Sequence, residues 1–551
     1  MVTNHKIKEF VLGIIIVAMG FLSYKITSFF NDDSFFSYGM TGFNSAFLIH
    51  FAITFVVLGS IAAVGFLLLI KRFSSRQASN TSRLLNWRQV KSEMRAVGSE
   101  ALVPKKDKKF NQSAHLLLSQ NLKLNNELVF HHTVVVAGSG GGKTSSILLP
   151  QLFTLNGPSI IITDPKGEIY HKTHKAMEAK GYLPVLLKLD DPSRSVKYNL
   201  LGNCKTINDV RKLAESILGK DEWGMLSQTL LQAFLFRQWA LGGTITDVVK
   251  DLAECPVDTY ELELEYFKGE EVDENARMAF DQFVKTSQGG SLVSSIFATI
   301  QSKMKVFEDP NIEEISKGGK FRIEYLRRKK IILYISYPEE ESTYYSPFLA
   351  SFYYQTFNIL KGDESVNQSK DSGELGLPVY FLLDEAANLG AIPEFDKLMA
   401  TIRSKKMGVE IFLQAFEQLN SVYGVDSAKS IIQNCKTKIT LSGVSDEAAR
   451  KFSELAGKRE VESTSITYSG KNSVSTSTSI KEKDVISADE IRRMKSHQML
   501  IISDNLRPII DDKNYYYMDK IDFWFFKNTR FSNETKRKLA MKFKKLIGYK
   551  K

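Results

Sequence analysis

The chain is poor in cysteine. Its 551 residues hold three, Cys204, Cys255 and Cys435, far apart and with no CxxC pair. A disulfide framework or a structural zinc site is thereby excluded as the organising device, and a reducing compartment suits the folded part. The chain also lacks the low hydrophobic content of a disordered protein and the periodic glycine of a collagen. Hydrophobic residues make up 43% and charged residues 25%, close to an ordinary folded protein. At roughly 100–200 residues per domain, the length points to about three domains.

The body of the chain lacks the positive excess that the net charge of +11 suggests. Residues 71–110 carry eleven Lys/Arg against three Asp/Glu, and residues 527–551 carry ten against one, which leaves the remainder at −6. A nucleic-acid binder recognised by bulk charge is therefore not indicated. One basic block follows an apolar run, where it can lie against anionic lipid. The other is a terminal tail.

Two apolar runs open the chain. Residues 46–70 form a 25-residue stretch without formal charge, long enough to span a ~30 Å hydrocarbon core with some tilt. Residues 10–30 are weaker, with Lys25 placed where it can snorkel. A cleaved signal peptide is the alternative for the first run and a buried core helix for the second. Lys6 and Lys8 precede the pair, the connecting loop holds Asp32 and Asp33 without Lys or Arg, and Lys71, Arg72 and Arg76 follow. The positive-inside rule makes residues 1–75 a transmembrane hairpin with both ends cytoplasmic. The expected location is a bacterial inner or plasma membrane, multi-pass, with the remainder cytoplasmic.

Residues 133–144 read TVVVAGSGGGKT, a β-branched run, a glycine-rich turn and a following helix-like stretch. Residues 137–144 fit [AG]xxxxGK[ST], the phosphate-binding loop. Gly138, Ser139, Gly140, Gly141 and Gly142 allow backbone N–H groups to turn toward phosphate oxygens. The next helix presents its positive end to the same anion. Lys143 can reach the β- and γ-phosphates of ATP, and Thr144 can ligate Mg²⁺. The plain alternative is a flexible Gly-Ser turn.

Such a loop needs a second carboxylate strand. Residues 379–385 read VYFLLDE, an apolar run ending in two acids. Asp384 would hold Mg²⁺ through water, and Glu385 would polarise the attacking water as general base. Acids that only cap the next helix are the alternative. Residues 159–163, 331–336, 409–414 and 438–442 also read as strands, with helical stretches between them. The core is therefore a doubly wound α/β sheet. Gln414 ends its strand where a γ-phosphate sensor would sit; an ordinary strand-end amide is the alternative. The loop and the second carboxylates are far apart, and residues 205–318 show long helical periodicity with few β-type runs. This reads as an all-α domain inserted between two parts of the nucleotide domain, 76–204 and 319–526, with 527–551 as a basic tail. Residues 463–480, dominated by Ser and Thr, alternate with period two and suggest a polar hairpin or else a disordered linker.

The motif set AGSGGGKT, IITDPKGEIY, DEWGMLSQTLLQAFL, FLLDEAANLGAIPEFDKLMATIRSKKMGVEIFLQAFEQL and VISADEIRRMKSHQMLIISDNLRPII, in that order after two apolar runs, resembles the TraG/TraD-type coupling proteins of type IV secretion and conjugation. The resemblance runs to about residue 525. It implies a RecA-like ATPase that gathers into a homo-hexamer and hands relaxase-bound single-stranded DNA, or in some members proteins, to the channel components of a secretion system. Lys143, Thr144, Asp384, Glu385 and Gln414 match the family's nucleotide motifs. Arg403 falls where the family is thought to carry an arginine acting in trans on a neighbour's nucleotide; a surface charge pairing a nearby acid is the alternative. Asp164 and Glu168 match the DPKGE motif, with no role assigned by their chemistry. The chain departs from many relatives in ending on a basic, amphipathic stretch rather than an acidic tail. Competing readings are an FtsK/SpoIIIE-like double-stranded DNA translocase and a docking receptor whose ATP site only gates assembly.

Overall fold

The computed structural model describes Ile53 and residues 83–106, 114–219, 221–287, 290–318, 321–363, 376–469 and 473–517. The chain divides into two compact units, Met1–Ser82 and Arg83–Lys551. In chain order the strands of the second unit are β1 (Leu85–Asn86), β2 (Leu102–Pro104), β3 (Leu116–Leu117), β4 (Leu122–Leu124), β5 (Thr133–Val136), β6 (Ser159–Thr163), β7 (Leu183–Lys188) and β8 (Ile331–Ser336). They continue with β9 (Val379–Leu383), β10 (Met407–Leu413), β11 (Thr437–Leu441), β12 (Lys458–Ser469), β13 (Ser473–Asp484), β14 (Gln498–Ser503) and β15 (Ile509–Asp512).

Ten strands form one sheet in the order β1-β15-β14-β11-β5-β10-β9-β6-β8-β7. The seven from β11 to β7 run parallel; β14 and β15 add an antiparallel hairpin beyond β11, and β1 closes that edge parallel to β15. Their sequences explain this. Strands buried on both faces read as continuous apolar runs, and side chains alternate between faces. Val134 and Val136 join one hydrophobic cluster while Val135 joins the other; Ile161 faces away from Ile160 and Ile162, and Phe381 away from Tyr380 and Leu382. The chain is thus an α/β, RecA-like fold. Small sheets flank it: β2-β4-β3 near the beginning, and the β12–β13 ribbon, antiparallel from Lys458↔Asp484 to Ser469↔Ser473. That ribbon is the hairpin the Ser/Thr alternation suggests.

Between β7 and β8 every described element is helical, including Ile207–Leu218, Glu222–Ala240, Ile245–Glu254, Glu274–Thr286 and Gly290–Met304. Thr206 with Asp209, and Thr244 with Asp247, close capping boxes that start two of these helices. Leu230, Phe234 and Phe280 from this stretch belong to the same apolar cluster as Val134 and Phe381, so the helices share one continuous core with that face of the sheet.

The expected membrane location is corrected. Among the described residues no helix is long and apolar enough to cross a membrane. The longest, Ser342–Gly362, carries Pro347 and buries Phe348, Phe352 and Phe357 in the sheet's core. The two apolar runs, 10–30 and 46–70, lie outside the described residues, Ile53 apart, as does the basic stretch 527–551.

Candidate functional site

The site forms at the C-terminal ends of adjacent parallel strands, where open α/β sheets bind ligands. β5 and β9 both flank β10. β5 delivers the loop Ala137–Lys143, β9 delivers Asp384 and Glu385, and β10 delivers Gln414. β6, on the far side of β9, ends at Asp164. The loop and these four strand-end residues are therefore gathered by register alone, although they come from distant parts of the sequence.

The loop's glycines have separate local reasons. Gly142 has φ of 88°, a backbone state that other residues adopt only at a cost. At Gly138 a Cβ would meet Gly443 O at 2.8 Å, so any side chain would push the loop off the end of β11. The first helical turn, Thr144–Leu148, is wide, and Leu149 N bonds back to Thr144 O. Pro150, which lacks an N–H, stands at the start of the tighter helix Leu149–Thr154. Gln151 Nε2 donates to Glu410 Oε1 at 3.1 Å, tying this helix to β10. Burial pushes the Glu410 carboxyl up to about 8.

Three side chains converge on Glu385. Lys143 Nζ lies 3.0 Å from its Oε2. Gln414 Nε2 donates to its Oε1 at 2.6 Å, and Gln418 Nε2 reaches the same oxygen at 3.5 Å. Gln418 Oε1 in turn accepts from Gln414 N at 2.7 Å and Ala415 N at 3.2 Å. Glu385 holds this position with φ of 50°, a left-handed backbone that a glutamate rarely adopts, and such strain gathers at functional sites. Beside it, burial pushes Asp384 up to about 6, with Glu385 and Asp164 adding to the rise and Lys143 opposing it.

Asp164 receives its local role from the geometry. Its carboxylate accepts from Ile169 N at 3.1 Å and Tyr170 N at 2.7 Å, capping the helix Glu168–Ala179. Burial outweighs these bonds and pushes its carboxyl up to about 6. Glu168 pairs with Lys172 on that helix, and Lys166 pairs with Glu339 at 2.7 Å. Asp164, Lys166, Glu168, Lys172 and Glu339 line one cleft of about 370 Å³ together with Gly138, Ser139, Gly140, Gly141, Gly142, Lys143, Thr144, Asp384, Glu385 and Gln414. Thr144 and Asp384 offer a hydroxyl and a carboxylate to the same space. That is a hard oxygen set suited to Mg²⁺, which keeps water and phosphate as its other ligands.

Arg403 lies elsewhere. It is exposed, in the turn Ile402–Lys405 that precedes β10. Gln414 follows the opposite end of that strand, which at ~3.3 Å per residue separates the two by more than 20 Å. It stands outside the cleft of its own chain. The sequence reading also missed Gln418, although it sits four residues after Gln414 in a motif already singled out. It missed Lys513, whose Nζ reaches Gly141 O at 3.1 Å from the far end of the sequence with no local signal to mark it.

Residues 84–545 match the family model described as type IV secretory system conjugative DNA transfer. The protein VirD4 of Rhizobium radiobacter is 22% identical over 404 residues, covering 71% of this chain and 57% of that protein. A probable conjugal transfer protein TraG of Sinorhizobium fredii is 22% identical over 414 residues, covering 69% and 61%. The matches thus span less than two thirds of these relatives. The solved plasmid coupling protein TrwB in complex with ADP and Mg²⁺ has the same fold, with a TM-score of 0.57 at 15% identity, over 79% of this chain and 94% of that one. An unbound form of TrwB gives 0.58 at 17% identity, over 79% and 92%. With a family match extending over most of its length, from the edge strand β1 past the phosphate loop and the Asp384–Glu385 strand, the chain belongs to the type IV secretory system conjugative DNA transfer family.

Proposed function

We propose that this chain is the coupling ATPase of a conjugative type IV secretion system, binding Mg²⁺ and ATP in the Lys143–Glu385 cleft. The observation that carries the reading is the convergence of Lys143, Gln414 and Gln418 on one carboxylate at the mouth of a phosphate loop. The loop N–H groups and Lys143 bind the triphosphate. Lys143 is engaged by Glu385 when no phosphate competes for it. A triphosphate draws Lys143 toward itself, and Glu385, still steered by Gln414, is left to take the proton of the attacking water. Thr144 and Asp384 would hold Mg²⁺, which would supply positive charge against the phosphate oxygens. Asp384 must be ionised for this, and Lys143 favours that form.

Arg403 acts, on this reading, on the nucleotide of a neighbouring copy. It is exposed and remote from its own cleft, as an arginine finger supplied in trans requires. Hydrolysis then depends on assembly of a homo-hexamer. The substrate is relaxase-bound single-stranded DNA passed to channel components, an assignment supported by the family match and the VirD4 and TraG relatives. The same likenesses favour it over a chromosome translocase or a passive docking receptor. The test is ATP hydrolysis by the full chain with and without single-stranded DNA. Stimulation that Lys143→Ala abolishes supports the proposal; activity that survives the substitution refutes it.

A further inference from the structure

Beyond the strand pairing that ends at Asp512, the chain crosses the phosphate loop. Lys513 is buried, with Nζ 3.1 Å from Gly141 O and 3.1 Å from Ser442 Oγ, and its backbone N donates to His497 O. Tyr516 N donates to Ser145 O at 3.0 Å. Its ring packs toward Phe153, with centroids 6.4 Å apart, and lies 5.4 Å from Lys172 Nζ, a cation of the cleft wall. Tyr515 Oη donates to Ser496 O at 3.2 Å, and its Cε1 stands 3.8 Å from where a Cβ on Gly142 would be. Tyr517 stacks on Tyr515, with centroids 5.3 Å apart and planes 25° apart, and is 45% exposed. Tyr515 and Tyr516 thus lie against the Gly142–Ser145 side of the loop, and Tyr517 stacks on Tyr515.

The position has a chemical meaning. A triphosphate seated in the loop has its γ end at Lys143 and Glu385. Its α end lies at the helix start near Thr144 and Ser145, because the loop N–H groups run along the chain from the γ- to the α-side. The ribose and base must leave from that α end. The Gly142–Ser145 flank is where Tyr515 and Tyr516 make their contacts. An aromatic ring held rigidly on one side, with a second ring partly open to solvent, is how proteins receive a flat heterocycle.

We propose that Tyr515 and Tyr517 are the stacking platform for the base of the bound nucleotide. This rests on reading the cleft as a nucleotide site. Stacking uses the ring face, and the Tyr515 hydroxyl is committed to Ser496 O, so the platform offers no donor or acceptor pattern to tell purines apart. ATP and GTP are held with similar affinity. The recognition comes from the segment after β15, which no phosphate-loop motif includes.

Calorimetric titration of the full chain with ATP, GTP and inorganic tripolyphosphate, each with Mg²⁺, tests this. The Tyr515→Ala/Tyr517→Ala double variant should bind ATP and GTP roughly 5- to 150-fold more weakly, the worth of one base–aromatic stack, with tripolyphosphate binding unchanged. The Tyr515→Phe/Tyr517→Phe variant should bind both nucleotides like the parent. ATP affinity within twofold of the parent in the alanine variant overturns the proposal. So does an equal loss for tripolyphosphate, which would make the tyrosines a strap that only supports the loop. A parent chain that binds tripolyphosphate and ATP alike, with no gain from the base, also overturns it. A parent that binds none of the three removes the nucleotide reading itself.

Discussion

Lys143 and Glu385, 242 positions apart in the sequence, form an ion pair at 3.0 Å with their side chains 11% and 12% exposed. The register of β5, β10 and β9 brings them together, and the pairing makes each a condition for the other's position. On the proposed reading, a lysine that binds phosphate and a carboxylate that takes a proton restrain one another through this pair.

Replacing Glu385 by Gln should therefore separate binding from hydrolysis. Nucleotide affinity is expected to hold or rise, because Lys143 no longer has a carboxylate competing for it. The turnover number should fall by about 10²- to 10⁴-fold, the usual contribution of a positioned general base. Fluorescence titration with a labelled nucleotide and a phosphate-release assay read the two effects separately.

Gln414→Ala removes the 2.6 Å hydrogen bond that fixes one oxygen of Glu385. The expected loss is on the order of 10- to 100-fold in kcat, the worth of a hydrogen bond to a charged group, with KM nearly unchanged because the ground-state phosphate contacts remain. Gln418→Ala should give a smaller loss in the same direction, since its own contact to Glu385 is longer at 3.5 Å.

Glu410 links the phosphate-loop helix to β10 from inside the sheet, and burial holds its carboxyl at about 8. An unfolded glutamate titrates near 4.3. Between these values the folded state keeps a proton that the unfolded state has lost, so this group's stabilising contribution is fully present below about pH 4 and is lost as pH rises toward 8. Glu410→Gln should stay folded and remove this dependence. Denaturation midpoints at a series of pH values should show the variant gaining on the parent as pH rises from 5 to 8.

Arg403→Ala should abolish hydrolysis in a homogeneous preparation, with a loss of about 10³- to 10⁵-fold, while nucleotide binding persists. Mixing it with Lys143→Ala subunits should restore part of the activity. In mixed assemblies some intact clefts then face an intact Arg403. Failure of every mixing ratio to restore hydrolysis would remove the arginine from the mechanism.

Much of the site was legible because its chemistry is local in sequence. The loop at 137–144, the paired acids after an apolar run and the Gln414 strand each announce themselves within a few residues. β6 and β8 have the expected ends, because double-sided burial demands unbroken apolar runs. β7 was not picked out; Leu183 and Pro184 open it with an exposed residue and a proline, which blurs the pattern. β14 and β15 were read only as a family motif, since an antiparallel edge pair needs a partner that sequence does not name. Asp164 is a helix cap built from a residue and two N–H groups five and six positions on, a geometry that spacing alone does not distinguish from a ligand. Lys513 and the tyrosines after it reach the loop from across 372 positions of the sequence. The membrane location rested on hydropathy of the first 75 residues and finds no support among the described helices, none of which is long and apolar enough to cross a membrane.

The central claim is that hydrolysis in the Lys143–Glu385 cleft powers conjugative transfer. Its most direct test is the transfer frequency from donor cells whose only copy of this chain carries Lys143→Ala, expressed at the parental level. The account predicts transfer at the frequency of donors lacking the chain altogether. Transfer at the parental frequency would contradict it.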